Sequence, residues 1–151
     1  MSWTARLSEL GIELPAVAAP VASYVPAVRS ASQVFTSGQL PFVEGALPAT
    51  GKFGGEVSAE DAKNYARTAA LNALAAVHEF TGIDSVARIV KVVGFVASAE
   101  GFNAQPSVIN GASELLGEIF GEAGRHARSA VGVAELPLGA PVEVELIVET
   151  T

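Results

Sequence analysis

The chain has 151 residues, of which 50% are hydrophobic and 17% are charged, with a net charge of -7 and no cysteine. This length predicts a single domain over 1–151 that can bury a core, and the composition excludes a disordered chain. Without cysteine, disulfides, thiolate catalysis and zinc sites with Cys ligands are excluded.

The charge pattern and the apolar runs limit the kinds of partner. The nine basic residues are scattered along an acidic chain, so no basic stripe can neutralise a run of phosphates, and we expect no nucleic-acid partner. No apolar run reaches the ~18 uninterrupted residues of a membrane helix, and the first six residues lack the order of a secretion signal. We therefore expect a cytoplasmic protein without a membrane partner. Two isolated histidines, His78 and His126, predict no metal site.

The N-terminal part predicts a short helix and then an extended segment. Residues 4–10 are amphipathic, and Gly11 stands where a helix C-cap is expected. Prolines within residues 15–26 favour an extended, irregular chain over 16–27. Tyr24 lies in this segment, where its ring either packs half-buried or lines a pocket with its hydroxyl.

Two strands are predicted next, over 28–30 and 33–40, around a tight connection. A glycine inside a strand has no side chain to pack, so Gly38 indicates a bulge or a close approach of the backbone to another group. Ser37, Gly38 and Gln39 are therefore pocket candidates, with a bulge and a strand end that bind nothing as the alternative. The sequence leaves the structure of the Gly-rich loop 43–57 open.

Two long helices flank a central strand. Ser58 predicts an N-cap, because its hydroxyl can accept from the backbone of Asp61, and apolar residues at helical spacing continue to Gly82. Residues 87–97 form a β-branched run typical of a central strand. Pro106 predicts the first turn of the second helix.

The last part of the chain predicts a β-hairpin. Alternating apolar and polar runs over 129–136 and 142–149 flank a turn that contains proline and glycine. If these runs pair, Arg128 and Glu143 lie near one mouth. Arginine presents a planar fork to a carboxylate, and glutamate can position or deprotonate a water. Solvated charges or a surface ion pair are the alternative.

These elements predict an α+β sheet with both helices on one face. The chain has no third long helix for the opposite face, so we expect association between subunits, in a homo-oligomer, to cover it. Nucleotide-binding loops and the Gly-x-Ser-x-Gly element of hydrolases are absent from the sequence.

Several short elements, in one order from about residue 20 to the C-terminus, resemble the reactive intermediate deaminase family. This family is also called RidA or YjgF-like, and endoribonuclease L-PSP is an older label. The elements are Tyr24, residues 34–41 with Ser-Gly-Gln-x-Pro, Asn110 in the second helix, residues 127–131 with Ala-Arg-Ser-x-Val, and residues 136–137 and 142–145. Residues 1–19 then form an N-terminal extension.

The resemblance implies a chorismate-mutase-like fold. We expect a mixed six-stranded sheet with two helices packed on one face, assembled as a homotrimer with ligand clefts between subunits. Described members hydrolyse enamine and imine intermediates, such as 2-aminoacrylate, to a 2-oxo acid and ammonia, and they need no cofactor.

The resemblance also implies roles for individual residues. By position, Arg128 resembles the arginine that grips the substrate carboxylate, and Glu143 resembles the acid that holds the attacking water. The other ligand-binding residues that it implies are Tyr24, Gly38, Asn110 and Ala130. Gly38 and Ala130 would offer backbone groups to the ligand. The spacing of Asn110 from the apolar residues of the second helix, taken alone, predicts an exposed amide on that helix.

The chain departs from the family pattern at several places. Ala130 stands where members often carry a cysteine, so a thiol role is excluded, and residues 111–116 replace an aromatic cluster that commonly follows the asparagine. The loop 43–57 and the N-terminal extension also differ from compact members. We therefore expect a divergent branch with a different pocket.

Two other functions compete with the deaminase. One is a non-catalytic protein that binds a small carboxylate, or a regulator, using the same cleft. The other is the ribonuclease activity attached to some relatives. The acidic charge and the lack of a histidine pair argue against the ribonuclease.

Overall fold

Five strands and three helices make up the part of the chain that the structure describes, a computed structural model of residues 2–20 and 22–151. The elements are α1 (Trp3–Glu9), β1 (Ala27–Ser30), β2 (Gln33–Thr36), α2 (Ala59–Thr81), β3 (Val86–Ala97), α3 (Gln105–Phe120), β4 (Ala127–Val133) and β5 (Val142–Thr150). In the predicted extended segment 16–27, Val21 lies outside the described residues, as does Met1 at the start of the chain.

Both long helices begin where the sequence signals predicted, and α2 also ends where they predicted. Ser58 Oγ accepts from Asp61 N at 3.1 Å and caps α2, and Gly82 ends that helix with a φ of 79°. Pro106 lies in the first turn of α3, where the missing N–H of proline costs no helical hydrogen bond. Within the described residues, none of the helices combines the length and the apolar character that crossing a membrane requires.

The sheet is mixed, as predicted. Its strand order is β1-β2-β5-β3-β4, with β3 and β4 parallel and the other neighbouring pairs antiparallel. The prediction of a six-stranded sheet is wrong, since the described residues contain five strands. The Gly-rich residues 43–57 form only isolated bridges, because glycines with positive φ turn the chain there before a ladder can extend.

The predicted hairpin between the last two strands is also wrong. β4 pairs in parallel with β3, while β5 lies on the other side of β3 and pairs with β3 and β2. The segment between them crosses the end of β3, where Ala97 N donates to Pro141 O at 2.9 Å and Ser98 N donates to Val133 O at 3.0 Å. β3, α3 and β4 thus form a βαβ unit, and the helical crossover makes the two strands parallel.

Helices α2 and α3 pack on one face of the sheet, as predicted. The side chains that alternate along β5 on this face are fully buried, namely Val142, Val144, Leu146 and Val148. Each such side chain contributes roughly 1.5–3 kcal/mol to folding. The two helices approach closely at Gly111 of α3. A Cβ at this position would overlap the backbone carbonyl of Lys63 in α2, so the close approach requires a glycine.

The opposite face of the sheet is only partly buried. In β5 it presents three acids and an isoleucine, namely Glu143, Glu145, Ile147 and Glu149. Val28 of β1 and Val131 of β4 share this face through their pairing and are 52% and 43% exposed. An exposed sheet face with apolar side chains suits contact with another protein surface.

The N-terminal helix α1 docks at the end of α3 and the start of β3. The ring of Trp3 meets that of Phe120 edge-on, with centroids 5.0 Å apart, and Trp3 Nε1 donates to Val86 O at 2.8 Å. Thr4 N and Thr4 Oγ1 donate to the carboxylate of Asp84, which lowers the pKa of that carboxyl below its ordinary value. The predicted extension therefore includes a helix that is fixed to the sheet domain.

Candidate functional site

β2 ends in a bulge that contains Gly38. Phe35 pairs with Ile147, whereas Gln39 bridges Val144. An advance of four residues on the β2 side therefore matches an advance of three residues along β5. One extra residue therefore lies on the β2 side, which is the definition of a bulge. The bulge predicted at this glycine is confirmed.

The carboxyl group of Glu143 lies directly against the bulge. A Cβ at Gly38 would overlap this carboxyl, so the acid can approach the backbone here only because the residue is glycine. The close approach predicted for Gly38 is confirmed, and its partner is Glu143. Within the described residues, the Glu143 side chain makes no hydrogen bond or ion pair of its own.

The environment of Glu143 makes its ionised form less favourable than that of an exposed glutamate. Burial raises the pKa of this carboxyl above its ordinary value, and the nearby charge of Glu145 raises the pKa further. Both effects disfavour the carboxylate, one through lost hydration and one through repulsion. A carboxyl with a raised pKa exchanges protons more readily near neutral pH than an ordinary one.

A cavity of about 450 Å³ opens beside Glu143. This volume lies in the range of small-molecule sites. Its walls are mainly apolar, and the described residues that line it are Ala18, Ala19, Pro20, Ala22, Tyr24, Pro26, Ser37, Gly38, Gln39, Leu40, Phe42, Pro137 and Glu143. The two neighbours of Gly38 that the sequence marked as pocket candidates both belong to this lining.

The cavity wall is fixed to the bulge by two hydrogen bonds. Ser37 N donates to Pro26 O at 2.8 Å, and Ser37 Oγ donates to Val25 O at 2.5 Å. Tyr24 precedes these residues, is 43% exposed and lines the cavity. The structure thus brings together three predicted site residues, and we call Tyr24, Gly38 and Glu143 the acid half-site.

Arg128 lies beneath α3 on the helix-covered face of the sheet. Its Nη1 donates to Asn110 Oδ1 at 2.8 Å and to Ser113 Oγ at 3.3 Å, and its Nη2 donates to Pro106 O at 3.3 Å. Asn110 and Ser113 are three residues apart, so both face β4 from one side of the helix. We call Asn110, Ser113 and Arg128 the arginine half-site.

The guanidinium of Arg128 is held by uncharged acceptors. The ion pairs in the described part of the chain all involve other residues, so no carboxylate there neutralises this charge. Arginine has five N–H donors, and three of the five are directed at the acceptors named above, which leaves two. A carboxylate accepts two parallel bonds from such a group. The half-site is therefore suited to a small anion.

The two half-sites lie on opposite faces of the sheet. Arg128 pairs with Val92 of β3, and Glu143 pairs with Phe95, three residues further along β3 and on its other side. An odd separation places side chains on opposite faces, and β3 separates their strands by about 10 Å. The predicted common mouth within one chain is therefore wrong. Ala130 follows Arg128 by two residues on the same face and packs against the core.

Ser113 and His126 are two polar residues of this region that the sequence analysis did not select. The spacing of three residues from Asn110 along a helix was the available signal for Ser113. His126 has no second histidine near it in the sequence, and its Nε2 lies 2.9 Å from Ser113 Oγ. The described residues contain no cluster of three or more acidic or histidine side chains that could hold a metal ion.

Comparison with known proteins agrees with this architecture. Residues 4–150 match the family described as "YjgF/chorismate_mutase-like, putative endoribonuclease". Protein TCP17 of Trypanosoma cruzi is 46% identical over 147 residues, which are 96% of this chain and 92% of that protein.

Two solved structures extend the comparison. Atu1372 of Agrobacterium tumefaciens, a protein of unknown function, is 42% identical with a TM-score of 0.90, over 99% of this chain and 92% of that one. TdcF of E. coli, solved with bound serine, is 28% identical with a TM-score of 0.66, over 92% of this chain and 96% of that one. The chain therefore belongs to the YjgF family with its chorismate-mutase-like fold, in a branch that has diverged from the E. coli proteins.

Proposed function

We propose that this protein hydrolyses reactive enamine and imine intermediates of the 2-aminoacrylate type to a 2-oxo acid and ammonia. The reaction takes place in a cleft between subunits of a homotrimer, and it uses no cofactor. The proposal includes a cytoplasmic location. One observation supports the proposed activity most directly. Three uncharged acceptors hold the guanidinium of Arg128, and two of its donors remain for a carboxylate.

The homotrimer is supported by the positions of the half-sites. Because Arg128 and Glu143 are on opposite faces of one sheet, a small ligand cannot contact both within one chain. A cyclic assembly joins two different patches of neighbouring subunits, so it can bring the arginine half-site of one subunit beside the acid half-site of the next. The same contact covers apolar side chains of the partly exposed sheet face.

The chemistry needs orientation, a water and one acid. 2-Aminoacrylate tautomerises to 2-iminopropanoate, and Arg128 binds its carboxylate so that the C=N carbon faces Glu143. As the oxygen of a water bonds to this carbon, the C=N double bond opens, and Glu143 accepts one proton of the water and passes it to the nitrogen, which gives a carbinolamine. Glu143 then accepts the hydroxyl proton of the carbinolamine and delivers it to the nitrogen as the C–N bond breaks and the C=O bond forms, so that pyruvate and ammonia are released.

The remaining predicted residues complete the cleft. Gly38 and Ala130 offer backbone groups to the ligand, Tyr24 lines the apolar cavity, and Asn110 holds Arg128 in place. The raised pKa of Glu143 supports its role, since a group that accepts and returns a proton works best when its pKa is near the working pH.

Ammonia release from freshly generated 2-aminoacrylate tests the proposal. Wild type is expected to release ammonia above the buffer rate, and Arg128→Ala is expected to lose this acceleration. Arg125→Ala is the matched control, because Arg125 is an exposed arginine three residues away that pairs with Glu122. Equal rates for wild type and Arg128→Ala, or no rate above buffer, contradict the proposal.

A second candidate is a non-catalytic protein that binds a small carboxylate in the same cleft. It is favoured by the serine bound to TdcF, a relative, since serine carries a carboxylate and an amino group on one carbon. This candidate predicts saturable binding of pyruvate that Arg128→Ala abolishes, together with no turnover of 2-aminoacrylate by wild type.

A further inference from the structure

A chain of hydrogen bonds continues from Arg128 away from the ligand-facing side. Arg128 Nη1 donates to Ser113 Oγ at 3.3 Å, Ser113 Oγ lies 2.9 Å from His126 Nε2, and His126 Nδ1 lies 2.6 Å from Gly124 O. These residues belong to β4, to α3 and to the segment between them. Ser113 and His126 are both partly buried.

The donor and the acceptor of each hydrogen bond in this chain follow from Gly124 O, the carbonyl at its end. A backbone carbonyl can only accept, so the proton of the neutral imidazole is assigned to Nδ1, which donates to Gly124 O. His126 Nε2 then accepts the hydroxyl proton of Ser113. This leaves the lone pairs of Ser113 Oγ for Arg128, and each donor in the chain has an acceptor.

His126 thus decides where the Ser113 hydroxyl points. A serine hydroxyl on a helix can turn toward the carbonyl of the preceding turn, and this competes with contacts to other elements. The acceptor at His126 Nε2 removes that freedom, so the oxygen of Ser113 stays directed at Arg128. Asn110, one helical turn earlier, supplies the second acceptor of Nη1.

Two acceptors on Nη1 fix the plane of the guanidinium. The arginine side chain is long and rotamer-rich, and each fixed bond reduces the entropy that ligand binding must remove. With Nη1 held, the donors of Nε and Nη2 keep one direction, and a carboxylate meets a preformed fork. Ser113 and His126 act without touching the ligand.

We propose that Ser113 and His126 are positioning residues that set the carboxylate affinity of Arg128. The proposal goes beyond the function given above and rests on it, since it assumes that Arg128 binds the substrate carboxylate. Ser113 lies on α3 one turn after Asn110, and His126 lies just before β4. In this chain, a hydroxyl and an imidazole orient the arginine.

Steady-state kinetics on the imine of alanine, generated in place by an amino-acid oxidase, tests the proposal. Ser113→Ala and His126→Asn are expected to raise KM about tenfold, the usual effect of losing one hydrogen bond to a charged group, while kcat stays within about twofold. The dissociation constant for pyruvate, measured by calorimetry, is expected to rise by the same factor.

Two histidine variants separate positioning from general structural support. His126→Gln carries an amide oxygen near the position of Nε2 and is expected to restore KM toward the wild-type value. His126→Asn reaches only the position of Nδ1 and is expected not to do so. His78→Asn is the matched control on the other histidine, which is exposed at the end of α2 and accepts from Ile83 N.

The outcomes distinguish this inference from the proposed function. Unchanged KM in Ser113→Ala and His126→Asn, with activity lost in Arg128→Ala, overturns the positioning role and leaves the deaminase in place. A fall in kcat at constant KM, or equal effects of His126→Gln and His126→Asn, also overturns it. Full activity in Arg128→Ala removes the proposed function itself. Circular dichroism and Tm verify that each variant is folded.

Discussion

Arg128 and Glu143 belong to strands on the two sides of β3, and their side chains point to opposite faces of the same sheet. Each one is unneutralised in the described part of its own chain: the guanidinium has uncharged partners and the carboxyl has none. Two groups with free bonding capacity on opposite faces cannot meet within one copy of the chain, which agrees with the proposed cleft between copies.

Mixing two inactive variants is expected to restore activity. Arg128→Ala and Glu143→Gln each remove one half of the cleft, but in a mixed trimer some clefts combine an intact arginine with an intact acid. For random mixing of equal amounts, about a quarter of the clefts are intact, because each cleft takes one half-site from each of two neighbours. Co-expression followed by ammonia assay measures this, and activity no higher than that of either variant alone contradicts a cleft shared between subunits.

Gly38→Ala is expected to lower kcat at least tenfold. The added Cβ occupies the space of the Glu143 carboxyl, so the acid is displaced from the cleft. The overlapped atoms are the end of a flexible side chain that can turn away, so Tm is expected to change little. Pyruvate binding through Arg128 is expected to change little, and wild-type kcat in a folded Gly38→Ala protein contradicts the assigned position of the acid.

Glu143→Gln is expected to stabilise the protein at neutral pH. The folded-state pKa of Glu143 is raised by burial and by Glu145, so folding favours the protonated form, and stability falls as the pH rises through the raised pKa. The glutamine variant lacks this loss. Its Tm is expected to exceed that of wild type at neutral pH and to match it well below the ordinary carboxyl range. A constant Tm difference across this range contradicts the raised pKa.

Two glycines of α3 are expected to respond in opposite ways to alanine. A Cβ at Gly111 overlaps the backbone carbonyl of Lys63, whereas a Cβ at Gly117 meets nothing within 4 Å. Gly111→Ala is expected to destabilise by about 1–3 kcal/mol through overpacking. Gly117→Ala is expected to stabilise by about 0.5–1 kcal/mol through helix propensity. Urea unfolding measures both, and equal effects contradict the close packing of α2 on α3.

Local signals predicted the elements well because each depends on neighbouring residues. The N-cap at Ser58, the end of α2 at Gly82 and the first turn of α3 at Pro106 all follow from hydrogen bonds or dihedral limits within one turn. Gly38 indicated a bulge or a close approach, but both depend on contact with β5. The partner Glu143 could not be predicted, since more than a hundred residues separate it from Gly38 in the chain.

Strand neighbours were harder to predict than strands. Alternation over 129–136 and 142–149 defines faces, but it does not say which strands are adjacent. The order strand, helix, strand from β3 to β4 was the better signal, because a helical crossover returns a strand in parallel and leaves room for β5 on the other side of β3. The hairpin error led directly to the wrong common mouth for Arg128 and Glu143.

The wall of the acid half-site has a consequence for how such proteins change over time. Its residues Ala18, Ala19, Pro20 and Ala22 lie outside the buried core cluster, while Gly38 and Glu143 are set by strand pairing. Larger side chains in the wall can reshape the cavity at little cost to stability, since surface positions tolerate substitution. Ligand choice and the placement of the acid can therefore evolve independently, so that relatives with one catalytic arrangement can differ in the molecules they accept.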